Sequence, residues 1–296
     1  MRLGTTSAKI TMSSTDPSTA FVSCGPDFCL IRPSANDPTT LDVKSIWFTK
    51  TSQPDYMQSP VTAMFQLPNV YDLNTVGRNL GGLLFTVAGD QLLFSQVEME
   101  PYIPESGIPS VFQNDCRAIP RKLITGAKPT YLAYLESPRK IVIATMEAKE
   151  GRPPPHGYRV LHSFIKLLNP TDEKALDDAE IKQEDDAPLA NKLVAAEFEL
   201  KHGERVYSIA EWPFEDTRGK KHHLLIVGTG IPSATGKETG RRLILNTGKQ
   251  GSKLQLQKES SFDHPVYCTA VMSNLVSISA IGKCLTLDVF KPEDGL

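Results

Sequence analysis

Several stretches of this 296-residue sequence bring together residue types that do chemistry elsewhere. The first is LLIVGTGIPSATGKETG, where an apolar run leads to Gly228, Gly230 and then Gly236-Lys237. A phosphate loop places four residues between its first glycine and the Gly-Lys pair, and Ser or Thr follows the lysine. Here five residues separate Gly230 from Gly236, and Glu238 follows Lys237. A dinucleotide fingerprint needs a third Gly or Ala at position 233, which is Ser, and it must open a helix. Pro232 and the Thr-Gly-rich tract read instead as a hairpin loop. The glycines are therefore expected to be turn residues, and the tract 228–240 to bind no nucleotide.

The histidines are His156, His162, His202, His222, His223 and His264. None has H-E-x-x-H spacing, and no serine lies in a G-x-S-x-G elbow. His222 and His223 follow Gly219-Lys220-Lys221 at a strand start. Neighbours on a strand face opposite sides, so they cannot share one metal. They are expected to be exposed basic turn residues. Cys24 and Cys29 have C-x4-C spacing with no second pair nearby. That reads as two buried thiols in strands, with a zinc site as the alternative. No catalytic, cofactor-binding or metal-binding residue is assigned, no cofactor is expected, the binding residues stay unassigned, and the chain is read as not an enzyme.

Basic residues cluster mildly at Arg117, Arg121, Lys122 and Lys128, at Arg218, Lys220 and Lys221, and at Arg241-Arg242. Each cluster falls at a loop or strand end. They are expected to be solvated surface, with contact to nucleic-acid phosphates as the alternative. The opposite sign dominates 171–188, TDEKALDDAEIKQEDDAP. Mutual repulsion and few apolar residues predict a surface loop readily cut by proteases, with a metal site or acidic docking segment as the alternatives.

The elements that must position these residues are β-strands. Hydrophobic residues make up 40% and charged residues 22%, enough apolar content for a packed core. The formal net charge of −2 argues against gripping nucleic acid by bulk charge. Twenty-two prolines disfavour long helices. The opening MRLGTTSAKI has no apolar core of a signal peptide, and no apolar run is long enough for a membrane-spanning helix. With five cysteines, an odd and low number, a reducing intracellular compartment fits.

Short β-type runs recur with turn punctuation. TAFVSC, FCLIRPS, SIWFTKT and VTAMFQL come first. In GGLLFTVAGDQLLFSQVE, Gly89-Asp90 reads as a tight hairpin. Residues 100–120 carry four prolines and read as a linker or long connection. From 120 onward a cycle of four strands repeats, and its restarts TYLAYLE, VYSIAEW and VYCTAVM resemble one another. Self-similar four-strand units predict an all-β fold of β-propeller blades. A Greek-key sandwich is the alternative. The expected organisation is 1–110 as the closing blades of one propeller, 111–120 as a linker, and 121–296 as the first blades of the next, incomplete.

CRAIPRKLITGAKPTYLAYLESPRKIVIAT resembles the start of the third propeller in one family. That family comprises the large subunit of UV-damaged-DNA-binding protein, the A subunit of cleavage and polyadenylation specificity factor, and fungal genome-maintenance relatives. YRVLHSF, the acidic insert, VYSIAEW, HHLLIVGTG and the element Gly240-Arg241-Arg242-Leu243-Ile244 follow in the family's order. VYCTAVMSNLVSISAIGKCLTLDVF resembles the next blade, and AFVSCGPDFCLIRP through LLFTVAGDQLLFSQVE resembles the end of the second propeller. The resemblance implies a fragment of a longer, three-propeller protein, whose third propeller stops mid-blade at Phe290. It implies a non-catalytic nuclear scaffold or adaptor in a DNA-repair ubiquitin-ligase complex, or else in mRNA 3′-end processing or splicing. The implied partners are a cullin-type scaffold or RNA-processing factors, with nucleic acid met directly or through partners, and no membrane. A nucleotide-binding protein or propeller enzyme is the rival of another class.

Overall fold

A computed structural model describes residues 8–48, 60–68, 82–98, 116–123, 125–150, 159–169, 193–215, 219–232, 236–248, 250–273 and 275–289. They are nearly all β, and they fall into two compact units, one up to Thr125 and one from Gly126 on.

In the first unit, β1 (Ala8–Met12), β2 (Ala20–Cys24), β3 (Asp27–Pro33) and β4 (Leu41–Phe48) form an antiparallel meander. β9 (Cys116–Ala118) adds to β4 in parallel, and β8 (Val97–Glu98) pairs with β9. The second sheet has the order β10 (Arg121–Leu123), β7 (Gln91–Ser95), β6 (Leu84–Ala88), β5 (Val61–Gln66). Gly89-Asp90 is the two-residue turn between the paired residues Ala88 and Gln91. Gly89 has a φ of 63°, at the position a type II′ hairpin turn reserves for glycine. Phe21, Phe28, Leu30, Ile46 and Phe48 of the first sheet share a core with Val61, Met64, Leu84 and Leu93 of the second.

The second unit contains β11 (Lys128–Leu135), β12 (Lys140–Glu150), β13 (Arg159–Leu168) and β14 (Val194–Glu199) as one antiparallel sheet. β13 and β14 pair directly, although the acidic stretch lies between them in sequence. That stretch, 171–188, lies outside the described residues. β15 (Arg205–Glu215), β16 (Lys221–Gly230), β17 (Gly240–Asn246) and β18 (Gln255–Phe262) form the next sheet, and β19 (Val266–Ser273), β20 (Val276–Ile281) and β21 (Cys284–Val289) the last. β16 and β17 read as continuous apolar runs because both faces of their sheet are covered. Leu225, Val227, Leu243 and Leu245 join Val142, Ala144, Ile165 and Leu167 on one side. Trp212, Leu224, Ile226 and Ile244 meet Val271 and Leu275 on the other.

The first strands of consecutive sheets are neighbours within each unit, as the innermost strands of propeller blades are. The Thr11 hydroxyl on β1 donates to Met64 O on β5 at 3.2 Å. The Tyr131 hydroxyl on β11 donates to Ile209 O on β15 at 3.5 Å. Ser208 on β15 meets Thr269 on β19, hydroxyl to hydroxyl, at 3.2 Å. β5, β11, β15 and β19 each carry a register shift at the same place, leaving Thr62, Thr130, Tyr207 and Tyr267 out of the ladder. Such a bulge bends and twists a strand locally, and its recurrence marks the structural repeat. Counted from the bulge, Thr130 occupies the place of Tyr207 and Tyr267, so Tyr131 is one position later than the look-alike restarts suggest. Neither unit closes into a ring among the described residues.

The division between the units differs in detail from the expected one. Residues 121–123 complete a sheet of the first unit, where Arg121 faces Phe94 across the ladder. The expected connection 111–120 ends in β9, and the later unit starts at Gly126. Three residues after Pro120 suffice to satisfy the edge of β7, and a segment so short leaves no periodic signal.

Candidate functional site

The glycines of the 228–240 tract are mostly not turn residues. Gly228 and Gly230 lie inside β16, and Gly240 opens β17. A Cβ on Gly228 would lie 2.5 Å from Ser208 Oγ and 2.7 Å from Val266 O. On Gly240 it would lie 2.5 Å from Thr229 O and 2.7 Å from Pro265 Cα. These glycines let the segment 264–266, which leads into β19, press against the preceding sheet. Gly236 alone matches the expected role, with a φ of 78° and open space around it. Ile231 and Thr239 bridge the two strands. The two strands are joined as a hairpin, and the described residues of the tract offer no helix start to a phosphate.

Arg241 and Arg242, expected at the surface, are both buried, with 5% and 7% exposure. Consecutive on β17, they point to opposite faces. Arg241 Nε donates to Glu204 Oε1 at 2.8 Å, its Nη2 meets Glu204 Oε2, and its Nη1 pairs with Glu259 at 2.8 Å. Glu204 is fully buried and also accepts from the Thr229 hydroxyl. Burial works against the Arg241 charge, but the hydrogen bonds and charges of Glu204 and Glu259 outweigh it and raise its pKa. Arg242 pairs with Asp288 on β21 through Nη1 and, at 3.1 Å, Nη2, and its guanidinium lies 5.6 Å from the centre of the Phe262 ring. Both cations are therefore committed inside the protein and cannot serve phosphates. Their partners lie up to 46 residues away, so the Arg-Arg dipeptide alone gave no hint of them.

His222 and His223 are half-buried residues of β16, not exposed turn residues, because β15 pairs with them through Phe214 and Pro213. His223 Nδ1 contacts the Ser137 hydroxyl in the turn between β11 and β12. The carboxylate of Glu211, on the face of β15 that His223 shares on β16, accepts from the backbone N–H of Glu136 at 2.7 Å and of Ser137 at 3.0 Å. Burial raises the Glu211 pKa. Ser137, His223 and Glu211 look like a nucleophilic set, but the carboxylate holds backbone amides of the turn instead of orienting the imidazole, which a triad requires.

Cys24 and Cys29 are buried strand residues on β2 and β3. Among the described residues no three His, Cys, Asp or Glu side chains gather as a metal site. Of the remaining basic residues, Arg121, Lys122, Lys128, Lys220 and Lys221 are exposed, and Arg121 lies 5.8 Å from the centre of the Phe94 ring. His156 and Arg218 lie outside the described residues, as does the side chain of Arg117.

Among the described residues the most exposed large apolar side chain, Leu285, is on the last sheet. Leu285, Leu287 and Val289 on β21 are 80%, 59% and 61% exposed, and Met272 on β19 is 64% exposed. Ala280, Ile278 and Val276 face Leu285, Leu287 and Val289 across the β20–β21 ladder and extend the same face. The reverse face of β21 carries Asp288, which is drawn to Arg242. Among the described residues β21 is an edge strand, and its alternation CLTLDV gives it one apolar face.

These features define an all-β protein built from propeller-type blades whose charged and glycine elements hold blade to blade. In agreement, residues 162–294 match a family model described as the CPSF A subunit region. The match begins within β13 and takes in every later strand, so the similarity covers the elements that carry Gly240-Arg241-Arg242. No curated protein matches the chain.

Proposed function

We propose that this chain is a non-catalytic scaffold or adaptor module, working in the nucleus by holding other proteins of a multi-subunit complex. The observation that carries this reading is the use of Arg241, Arg242, Gly228 and Gly240 in packing, within a region similar to the CPSF A subunit region. Arg241 is consumed inside the β15–β18 sheet, Arg242 in joining that sheet to β21, and Gly228 and Gly240 in the close approach of residues 264–266. What remains outward is a set of loops on rigid blades and an apolar sheet face, which suits protein partners.

The complex in the first reading is a DNA-repair ubiquitin ligase with a cullin-type scaffold. The second reading, a subunit of an mRNA 3′-end processing or splicing complex, draws its support from the description of the matched family region. Nucleic acid is reached directly through exposed residues such as Arg121 and Lys122, or through partners. The test is affinity capture of the tagged full chain from nuclear extract, followed by mass spectrometry. Cullin and repair factors support the first reading, and cleavage or splicing factors the second. Recovery of neither set, together with nucleotide turnover by the purified chain, overturns the scaffold reading.

A further inference from the structure

We propose that Ser137 is a phosphorylation site, and that its phosphate releases the β11–β12 turn from the β15–β16 strands. The turn reads Ser137-Pro138-Arg139-Lys140. A serine followed by proline, with a basic residue three positions on, is the substrate pattern of proline-directed protein kinases. The sequence has one other Ser-Pro pair, Ser59-Pro60, and Thr62 stands where Lys140 does here. Glu136, Ser137 and Arg139 are exposed, so the hydroxyl is on a surface an enzyme can reach.

What holds the turn down depends on Ser137 and its neighbour. Glu211 accepts from the two amides, and His223 Nδ1 contacts the hydroxyl. The turn is also held against its own preference. Arg139 has a φ of 53°, the left-handed region that a residue with a Cβ disfavours. A conformation fastened at three points over a strained residue opens locally when the fastenings go.

Phosphorylation removes them together. The Ser137 hydroxyl oxygen attacks the terminal phosphorus of a nucleoside triphosphate, and the O–P bond forms as the bond to the bridging oxygen breaks. The nucleoside diphosphate leaves with the electron pair, and the hydroxyl proton passes to the kinase's base. The product carries nearly two negative charges beside the Glu211 carboxylate, and like charges at that distance disrupt a contact. Burial already disfavours ionised Glu211, and the added anion acts in the same direction.

The experiment treats the full chain with ATP and a cyclin-dependent kinase. Intact mass and peptide mapping locate the phosphate, and amide hydrogen exchange is followed over residues 136–140. The expected result is one phosphate on Ser137, absent in Ser137→Ala and at least ten-fold slower to form in Pro138→Ala. Exchange at the Glu136 and Ser137 amides should quicken at least ten-fold on phosphorylation. In Glu211→Ala the exchange should already be fast, and phosphorylation should add little to it. No incorporation into the wild-type chain, or equal incorporation into Ser137→Ala, overturns the site. Incorporation with unchanged exchange overturns the release.

Discussion

The guanidinium of Arg241 and the carboxylate of Glu204 meet through two hydrogen bonds in a place that water does not reach. Thr229 and Glu259 complete the surroundings, and Lys201 Nζ donates to Glu259 at 2.8 Å. The network ties the turn before β15 to β16, β17 and β18.

Removing one partner from this pair should be costly. Arg241→Ala leaves Glu204 buried and uncompensated, at a loss of about 3–5 kcal/mol. Arg241→Met combined with Glu204→Leu should recover most of it, since an apolar replacement of a buried pair is often neutral. Urea unfolding followed by tryptophan fluorescence, with Trp212 buried in the same sheet, reads both. Equal stability of Arg241→Ala and the native chain would show that the pair is dispensable.

The glycines should divide by mechanism. Gly240→Ala puts a Cβ against backbone atoms that cannot step aside, and overpacking of this kind costs roughly 1–3 kcal/mol or more. Gly236→Ala meets open space and suffers only from its positive φ, about 1–2 kcal/mol. Neither ATP nor NAD should raise the melting temperature of the native chain. A nucleotide-dependent rise that disappears in Gly230→Val or Lys237→Ala, with the variant still folded, would revive the rival enzyme reading.

Two carboxylates should give the stability opposite pH slopes. The Lys201 and Arg241 hydrogen bonds lower the Glu259 pKa below its ordinary 4.5. Its contribution is therefore present above about pH 4.5 and is lost as the pH falls through the lowered value. Glu211 has a raised pKa, so the folded chain holds its proton longer than the unfolded chain does. The stability it lends at low pH is lost as the pH rises from about 4.5 through the raised value. Urea melts across pH 3–8 check this: Glu259→Gln should flatten the acid side and Glu211→Gln the side above 4.5. Unchanged slopes in both variants would contradict the assignment.

The strands of the later unit and their four-strand cycle were largely legible in the sequence, because β-branched runs and turn residues mark strands locally, whereas the additions of β8, β9 and β10 to the first unit's sheets were not. Gly89-Asp90 set its hairpin, and the acidic insert stood out by composition, while the pairing of β13 with β14 across it is seen in the ladder. The Tyr-bearing restarts exposed the repeat, but the bulge shifts Tyr131 by one place, and only the ladder shows that. The candidate site was less legible. Arg241 and Arg242 carry no local mark of burial, because Glu204, Glu259 and Asp288 come from other strands and other turns. Gly228 and Gly240 resembled turn glycines because the close approach they permit comes from Pro265 and Val266, far along the chain.

The apolar face of β21 should govern behaviour in solution. The isolated chain is expected to self-associate or aggregate as its concentration rises, since an edge strand with exposed Leu285, Leu287 and Val289 pairs readily. Leu285→Lys with Leu287→Lys should suppress this, with stability changed by no more than about 0.5 kcal/mol, as for other surface positions. Size-exclusion chromatography with light scattering distinguishes the two chains. A native chain that stays monodisperse and monomeric at every concentration would remove this expectation.

The scaffold reading faces its most direct test in quantitative affinity capture of the tagged full chain from nuclear extract, with Arg241→Ala as the control of impaired packing. The native chain is expected to bring down a stoichiometric set of complex subunits, with cullin and repair factors or with cleavage and splicing factors, and Arg241→Ala far less. A native chain that elutes alone, and hydrolyses or transforms a nucleotide, would contradict it.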